Sequence, residues 1–162
     1  MERVTTLLHL QEYREHVQKI YDKERQRSFC KHDFHHFLDV ARLSWIFLLQ
    51  DGIEYLKDVV YAAALLHDIG RWKEYNGEGC HAQLSAELAL PLLINAGYSP
   101  QERKIIVDAI SEHRQQEEDF FSTPLSAALR KADKYSRLCF NCSSQLQCRK
   151  FDDMPQNKQL FF

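Results

Sequence analysis

Six titratable side chains stand where the helical period of the sequence predicts buried, apolar residues. His36 aligns with Val40 and Leu43, four and seven residues on, and Asp133 comes four residues after Leu129. The full set is His36, His67, Asp68, His81, His113 and Asp133. A charge or an unpaired imidazole costs several kcal/mol to bury unless a partner compensates it. A shared metal centre would compensate all six, because imidazole and carboxylate groups are common metal ligands.

One inward histidine alone does not indicate a metal site, because a single histidine in a core is more often hydrogen-bonded to the backbone. The same applies to a single His-Asp pair at a helix end, which occurs in many chains by chance. Six inward residues are harder to explain by backbone hydrogen bonds alone, and this number favours a metal site. His35, the neighbour of His36, aligns with Asp39 and Arg42 instead and is predicted to face solvent.

Six helices are predicted, and the six residues come from five of them. The apolar period places the helices at about 5–25, 33–50, 54–69, 81–96, 100–114 and 124–138. Residues 71–80 are predicted to form a loop, and Gly70 to stop the third helix. Pro91 is predicted to kink or divide the fourth helix. Ser99 and Glu102 have the spacing of a capping box.

The bulk composition predicts a single all-α domain. The chain has 162 residues with 44% hydrophobic and 27% charged residues, and its 5 glycines and 4 prolines are few for a turn-rich β fold. We expect a helical bundle of about six to seven helices over residues 1–150, followed by a polar tail at 151–162.

Charge and hydropathy exclude several partners. The net charge of -2, with basic residues spread along the chain, does not favour polymeric nucleic acid. No apolar run is long enough for a membrane span, and the N-terminal residues are too charged for a signal peptide. We therefore expect a cytoplasmic protein without a membrane partner, and its oligomeric state stays open.

The five cysteines do not suggest a disulfide framework, because their number is odd and no export signal precedes them. Cys139, Cys142 and Cys148 form a cluster that is one ligand short of a four-thiolate site. Cys30 or Cys80 could complete such a site only if the fold brought it near. The alternative is a set of reduced thiols that pack the end of the last helix, and redox sensing is a third reading.

In its motifs the sequence resembles the HD-domain superfamily. The matching residues are His36 in HFLDVARL, His67 and Asp68 in ALLHDIGR, and Asp133 in RKADKYSRL, in the family order H…HD…D. The resemblance covers roughly residues 30–140. It implies a helical bundle and a metal-dependent phosphohydrolase.

Two further histidines resemble those of the binuclear branch of this superfamily. They are His81 in HAQLSAELA and His113 in ISEHR. That branch includes cyclic-dinucleotide phosphodiesterases and symmetrical dinucleotide-polyphosphate hydrolases, although the glycine-tyrosine-proline motif of the cyclic-dinucleotide subgroup is absent. The resemblance implies two divalent ions, often iron or manganese, with Mg, Ni, Co and Zn as further candidates.

The resemblance also assigns roles to the residues. One ion would be held by His36, His67, Asp68 and Asp133. The other would be held by Asp68, His81 and His113, with Asp68 as the bridge. A hydroxide activated by the two ions would then attack a phosphoryl group.

Cations close to the reacting group would stabilise the negative charge that develops on it. Arg71 and Lys73 are the candidates that we place in the catalytic site with Asp68, and Lys134 and Arg114 are further candidates. The alternative for each cation is a solvated surface side chain. The substrate expected is a small phosphorylated molecule such as a nucleotide or a dinucleotide polyphosphate.

Two other functions are compatible with the same residues. A minority of the superfamily uses this ligand set for a di-iron centre that activates oxygen, and a non-catalytic domain could use the pocket to sense a ligand. Trp72, Tyr75 and Phe120 lie in the loops that we expect to shape the pocket, where they could stack on a base or cover the core.

Overall fold

Helices dominate the computed structural model, which describes residues 1–115 and 120–157. The described part of the chain contains α1 (Glu2–His9), α2 (Gln11–Glu24), α3 (Phe34–Gln50), α4 (Lys57–Leu66), α5 (Arg71–Glu74), α6 (His81–Asn95), α7 (Pro100–Glu112) and α8 (Pro124–Tyr135). Two single 3-10 turns follow, Cys139–Asn141 and Gln145–Gln147. These residues include no strand, so the predicted all-α class is confirmed. None of their helices is both long and apolar enough to cross a membrane.

Helix α4 lies at the centre of the bundle and is buried along almost its whole length. Every residue from 59 to 66 is buried except Tyr61, which is partly buried. Three consecutive alanines, Ala62, Ala63 and Ala64, give this helix a narrow profile. Helices α1, α3 and α7 pack around it, and α8 packs on both α3 and α7. The C-terminal end of α4 therefore lies in the middle of the bundle, and His67 and Asp68 follow it there.

Local capping fixes where the flanking helices begin. Ser99 and Glu102 form the predicted capping box at the start of α7, with each side chain bonded to the backbone of the other residue. Asp33 caps α3 by accepting a hydrogen bond from the backbone N–H of His36 at 3.0 Å. This cap sets the orientation of the first turn of α3, which carries His36.

The structure corrects the predicted first helix and the predicted loop. Residues 5–25 are not one helix, because Leu10 has an extended backbone (φ -61°, ψ 131°) that separates α1 from α2. No glycine or proline marks this break, so the sequence period runs through it. The predicted loop at 71–80 begins with the single-turn helix α5, and Pro91 does not divide α6, which is continuous.

Gly70 is not a helix stop, and its role is a close contact between helices. Helix α4 ends earlier, at Leu66, and the φ of Gly70 is -85°, which any residue can adopt. A Cβ atom on Gly70 would lie 2.6 Å from the backbone nitrogen of Ser85 in α6. The backbone N–H of Gly70 also donates to the buried Ser85 Oγ at 2.8 Å. The absence of a side chain therefore lets the segment after Asp68 touch α6.

Part of the predicted tail contacts the rest of the domain. Residues 151–157 form turns, and the buried Gln156 accepts a backbone hydrogen bond from Phe140 at 2.8 Å. The remaining tail residues lie outside the described part, as does the acidic stretch 117–119.

We expect Gly70→Ala to lower the free energy of unfolding by about 1–3 kcal/mol, because overpacking must push the His67–Asp68 turn away from α6. We also expect it to reduce the rise in melting temperature that added Mn²⁺ causes. The matched control is Gly52→Ala. Gly52 has a φ of 68° and no atom near its missing side chain, so the substitution costs about 1 kcal/mol of backbone strain. An unchanged manganese response in both variants would contradict this role of Gly70.

Candidate metal centre

The ends of five helices bring the six predicted residues together. His36 lies in the first turn of α3, His67 and Asp68 directly after α4, His81 at the start of α6, His113 directly after α7, and Asp133 in α8. Five of them are buried, and the side chain of Asp133 is 26% exposed. His35 is exposed, as its helical phase predicts. Their ligand atoms form two groups that share Asp68, and each group could hold a metal ion.

Asp68 faces one group with each of its carboxylate oxygens. Its Oδ2 lies 3.3 Å from Nε2 of His67 and 3.7 Å from Nε2 of His36. Its Oδ1 lies 3.0 Å from Nε2 of His81 and 3.7 Å from Nε2 of His113. Within the described residues neither oxygen accepts a hydrogen bond, although both are fully buried. A buried carboxylate in this state is a strong candidate for a bridge between two cations.

The first group is completed by Asp133. Its Oδ1 lies 3.2 Å from Nε2 of His36 and 3.9 Å from Nε2 of His67. Nε2 of His67 also lacks a hydrogen-bond partner among the described residues. Two carboxylates and two imidazoles thus converge on one small volume, which is a donor set that suits a divalent transition metal.

The second group places two imidazole nitrogens face to face. Nε2 of His81 and Nε2 of His113 are 3.1 Å apart, and both face Asp68 Oδ1. Burial, with His67 as a further cause, lowers the pKa of His113 to about 3, so this ring is neutral at neutral pH. A cation among these atoms would satisfy all three acceptors together.

In three of the histidines, a hydrogen bond to Nδ1, the ring nitrogen that faces away from Asp68, selects the tautomer that a metal requires. Nδ1 of His67 lies 2.6 Å from the carbonyl oxygen of Ala64, and Nδ1 of His113 lies 2.6 Å from that of Ile110. A carbonyl oxygen can only accept, so Nδ1 carries the proton in the neutral form of each ring and Nε2 is the nitrogen that can bind a metal. Nδ1 of His81 is bound in the same way by Glu74 Oε2 at 2.8 Å. Such partners orient the rings and raise their basicity as ligands.

Without a metal, protons and arginines balance the two carboxylates. Burial opposes the charged form of Asp68, but His67 and Arg71 hold its pKa well below the usual value. Burial likewise disfavours a proton on His67, yet Asp68 and Asp133 raise the pKa of this imidazole to about 10. The site therefore carries negative charge that attracts a proton, and a divalent ion would compete for the same atoms.

The predicted cations occupy different places. Arg71 is close to the centre, with its Nε 3.2 Å from Asp68 Oδ1. Lys73 is not in contact with the six residues; its Nζ lies 3.6 Å from Glu78 and over the ring of Trp72. Lys73 is the third residue of α5, and its side chain is directed toward the loop that contains Glu78. Arg114 donates to Glu74 at 3.0 Å, and its Nη1 also lies 3.5 Å from Nδ1 of His81, the ring nitrogen that does not face Asp68.

The three aromatic residues predicted to lie in loops have different surroundings. Trp72 stacks on the ring of His16, with 6.0 Å between the centroids, so it covers part of the core. The Tyr75 hydroxyl donates to the buried Glu24. Phe120 is 90% exposed and covers nothing among the described residues.

Three residues near the centre were missed by the sequence analysis. The buried His32 places its Nε2 3.8 Å from Asp68 Oδ2, and its Nδ1 is 2.5 Å from Glu24 Oε1. Nη2 of Arg137 lies 2.9 Å from Nε2 of His36. His32 precedes α3 in a loop, where no helical period applies. Arg137 follows Asp133 by four residues, a spacing that could have revealed it.

We expect Glu74→Gln to weaken binding of Mn²⁺ roughly 10–100-fold, because a ligating histidine loses the carboxylate that orients it. Titration calorimetry on the purified protein measures this affinity. Glu78→Gln is the matched control on the same loop, since the Glu78 carboxylate bonds to Asn76 and Lys73 and is not bonded to His81. Equal affinities in the Glu74 variant and the wild type would show that His81 is not a ligand.

Comparison with known sequences places this centre in a family. The sequence model of the HD domain matches residues 33–138. An uncharacterized protein of Clostridium beijerinckii is 33% identical over 162 residues, the whole of both chains. Ribonuclease Y of Geobacter metallireducens is 34% identical over 109 residues, which are 67% of this chain and 19% of that protein. Ribonuclease Y of Enterococcus faecalis is 33% identical over 88 residues, or 53% of this chain and 15% of that protein.

The chain therefore spans about a fifth of the ribonucleases that it matches. No solved structure shows a significant match to it. The matched segment begins at the cap of α3 and ends just after Asp133 and Arg137, so it contains all six residues of the centre. This chain belongs to the HD domain family.

Proposed function

We propose that this protein is a metal-dependent phosphohydrolase that cleaves a phosphate ester or anhydride of a small substrate such as a nucleotide or a dinucleotide polyphosphate. The observation that carries the proposal is the environment of Asp68. Its two buried oxygens accept no hydrogen bond from the part of the chain that the structure describes, and each faces a separate pair of histidines. Membership of the HD domain family supports the general hydrolase chemistry.

The proposal includes two divalent ions per chain, of iron or manganese, on either side of Asp68. His36, His67 and Asp133 would hold one ion, and His81 and His113 would hold the other. Bound ions of this kind lower the pKa of a coordinated water and polarise phosphoryl oxygens. The chain orients the rings of His67, His113 and His81 before any substrate arrives, through Ala64, Ile110 and Glu74 respectively.

Two arginines at the exposed side of the centre would bind the phosphoryl oxygens. The side chains of Arg71 and Arg137 are 19% and 11% exposed, and Asp133 beside them is 26% exposed. Arg137 points its Nη2 at Nε2 of His36, the same atom that would hold an ion. With an ion on that nitrogen, Nη2 of Arg137 would keep only its 3.5 Å contact with Asp133 Oδ1 and could donate to an anionic oxygen of the substrate.

A neighbouring cavity supports a small substrate. It has a volume of about 680 Å³, which is in the range of small-molecule sites. Its lining includes Tyr21, Phe34, Arg14 and Lys31, which are aromatic or cationic side chains suited to a base and to phosphates. His32 lines the cavity and also faces Asp68, so the cavity and the centre share a wall.

The ribonuclease relatives suggest a different substrate by name, which is RNA. The net charge of -2 does not favour a polyanion on this chain, and the match covers only a fifth of those proteins. We therefore propose that the shared segment supplies the hydrolytic centre and that this chain uses it on a small substrate.

We expect Asp68→Ala to abolish both binding of Mn²⁺ and hydrolysis of phosphorylated substrates, because both groups of ligands lose their shared member. The measurement is phosphate release from a panel of nucleotides and dinucleotide polyphosphates, together with metal content. Asp39→Ala, on the exposed face of α3, is the control and should behave like the wild type. Turnover at the wild-type rate in Asp68→Ala would rule out the assignment.

The same assay separates a hydrolase from an oxygenase. We expect the manganese-loaded protein to release phosphate at an unchanged rate without oxygen. A strict requirement for oxygen and iron would instead favour the di-iron oxygenase.

We expect Tyr21→Ala and Phe34→Ala to raise KM for a nucleotide roughly 5–100-fold, since stacking on a base contributes about 1–3 kcal/mol. The kcat for p-nitrophenyl phosphate, which has no base, should stay unchanged. Phe29→Ala is the control, because Phe29 and Phe34 are both 41% exposed but Phe29 does not line the cavity. If the variants change neither KM nor kcat for any nucleotide, the cavity does not bind the base.

A further inference from the structure

Four of the five cysteines gather at one place, away from the histidine–aspartate centre. Cys139, Cys142 and Cys148 follow α8, and Cys30 comes from the segment between α2 and α3. The pKa of the Cys139 thiol is raised to about 11. Burial is the largest cause, and the neighbouring thiols of Cys30, Cys148 and Cys142 add to it. All five cysteines are free thiols. The fold thus supplies the fourth cysteine that the C-terminal cluster lacks in the sequence.

Hydrogen bonds hold the segment with Cys30 against the C-terminal cluster. Ser144 Oγ donates to the backbone carbonyl of Ser28 at 2.6 Å, from within the stretch that separates Cys142 and Cys148. Nη1 of Arg137 donates to the carbonyl of Lys31 at 2.9 Å. These bonds lie on both sides of Cys30 and bring it to the cluster.

The backbone around Cys142 has the geometry of a metal-binding turn. The N–H of Cys142 donates to the carbonyl of Cys139 at 3.2 Å and closes the turn between the two cysteines. The N–H of Ser144 points at the Cys142 sulfur, with 3.4 Å between nitrogen and sulfur. Backbone N–H groups directed at sulfur stabilise a thiolate. The Arg137 guanidinium also favours the Cys139 thiolate, although burial and the neighbouring thiols outweigh it and the pKa of Cys139 is raised overall.

Packing alone explains the cluster poorly. Cys139 is buried, but Cys30, Cys142 and Cys148 are only partly buried and lie in turns or irregular segments. Four neighbouring thiols offer little apolar area, whereas four thiolates are one of the standard donor sets of structural zinc sites. The spacing of two residues between Cys139 and Cys142 is also typical of such sites.

We propose that Cys30, Cys139, Cys142 and Cys148 bind one structural zinc ion as four thiolates. No three of the four sulfur atoms, all of which belong to described residues, lie within 4.8 Å of one another, so binding of the ion requires these segments to close around it. The cysteines lie on turns and single-turn 3-10 helices, which can adjust more easily than long helices. Binding releases the thiol protons to solvent and breaks no other bond.

The ion would fix one wall of the catalytic centre. Cys30 lies two residues before His32, which faces Asp68, and Cys139 lies two residues after Arg137, which contacts His36. A tetrahedral zinc site would lock these two segments together and hold both side chains in place. Binding of this zinc ion does not itself depend on the proposed phosphohydrolase activity.

The test compares zinc content in matched variants by elemental analysis after dialysis against a weak chelator. We expect one zinc ion per chain in Asp68→Ala, which lacks the other centre, and none in Asp68→Ala combined with Cys142→Ser. Cys80 is exposed and is not among the neighbours of Cys139, so Cys80→Ser in the same background should keep the ion. Absence of zinc from Asp68→Ala itself, or its retention after Cys142→Ser, would overturn the proposal.

A second measurement needs no variant that might misfold. Cobalt added to the apoprotein should give intense thiolate-to-cobalt charge-transfer bands and the visible bands of tetrahedral coordination. A mercurial thiol reagent should release one zinc ion per chain from the native zinc protein. Iron with inorganic sulfide, a disulfide within the cluster, or rapid reaction of all five thiols without zinc release would each overturn the proposal.

Discussion

The structure depends on the burial of one carboxylate. Asp68 lies in the middle of the bundle with a fully buried side chain, where an isolated charge would be very unfavourable. Four imidazole nitrogens and Arg71 surround its two oxygens within 3.7 Å, yet among the described residues none donates a hydrogen bond with adequate geometry. The fold therefore holds the negative charge of the Asp68 carboxylate at a fixed position. Two divalent ions would neutralise it, and the resulting centre would carry the chemistry.

The elements around Asp68 are explained by the need to place it. The apolar helix α4 delivers His67 and Asp68 to the interior, because its alanines let its neighbours pack closely. Gly70 then allows the following turn to touch α6, whose first residue is His81. Capping by Asp33 orients His36, and the carbonyl of Ile110 fixes the ring of His113. Each constraint is local, but together they bring five helix ends to one point.

Much of this arrangement could be predicted from the sequence, because the helical period reports which side of a helix is buried. It identified the all-α class and the inward positions of the six residues that the structure brings together. It could not identify His32 or Glu24, whose contact joins a loop to the end of α2. It also missed the break at Leu10, which depends on tertiary packing and not on a breaker residue. The catalytic role of Lys73 stays a prediction; its amine lies beside Glu78 and Trp72, and a predicted loop gives no helical phase from which to predict side-chain direction.

The most direct test of the central claim is anomalous diffraction from crystals of the protein loaded with manganese. The account predicts two manganese peaks, one on each side of the Asp68 carboxylate. One peak should be coordinated by His36, His67 and Asp133, and the other by His81 and His113. A single peak would contradict the bridging role of Asp68. The absence of any peak within bonding distance of Asp68 would contradict the metal centre itself.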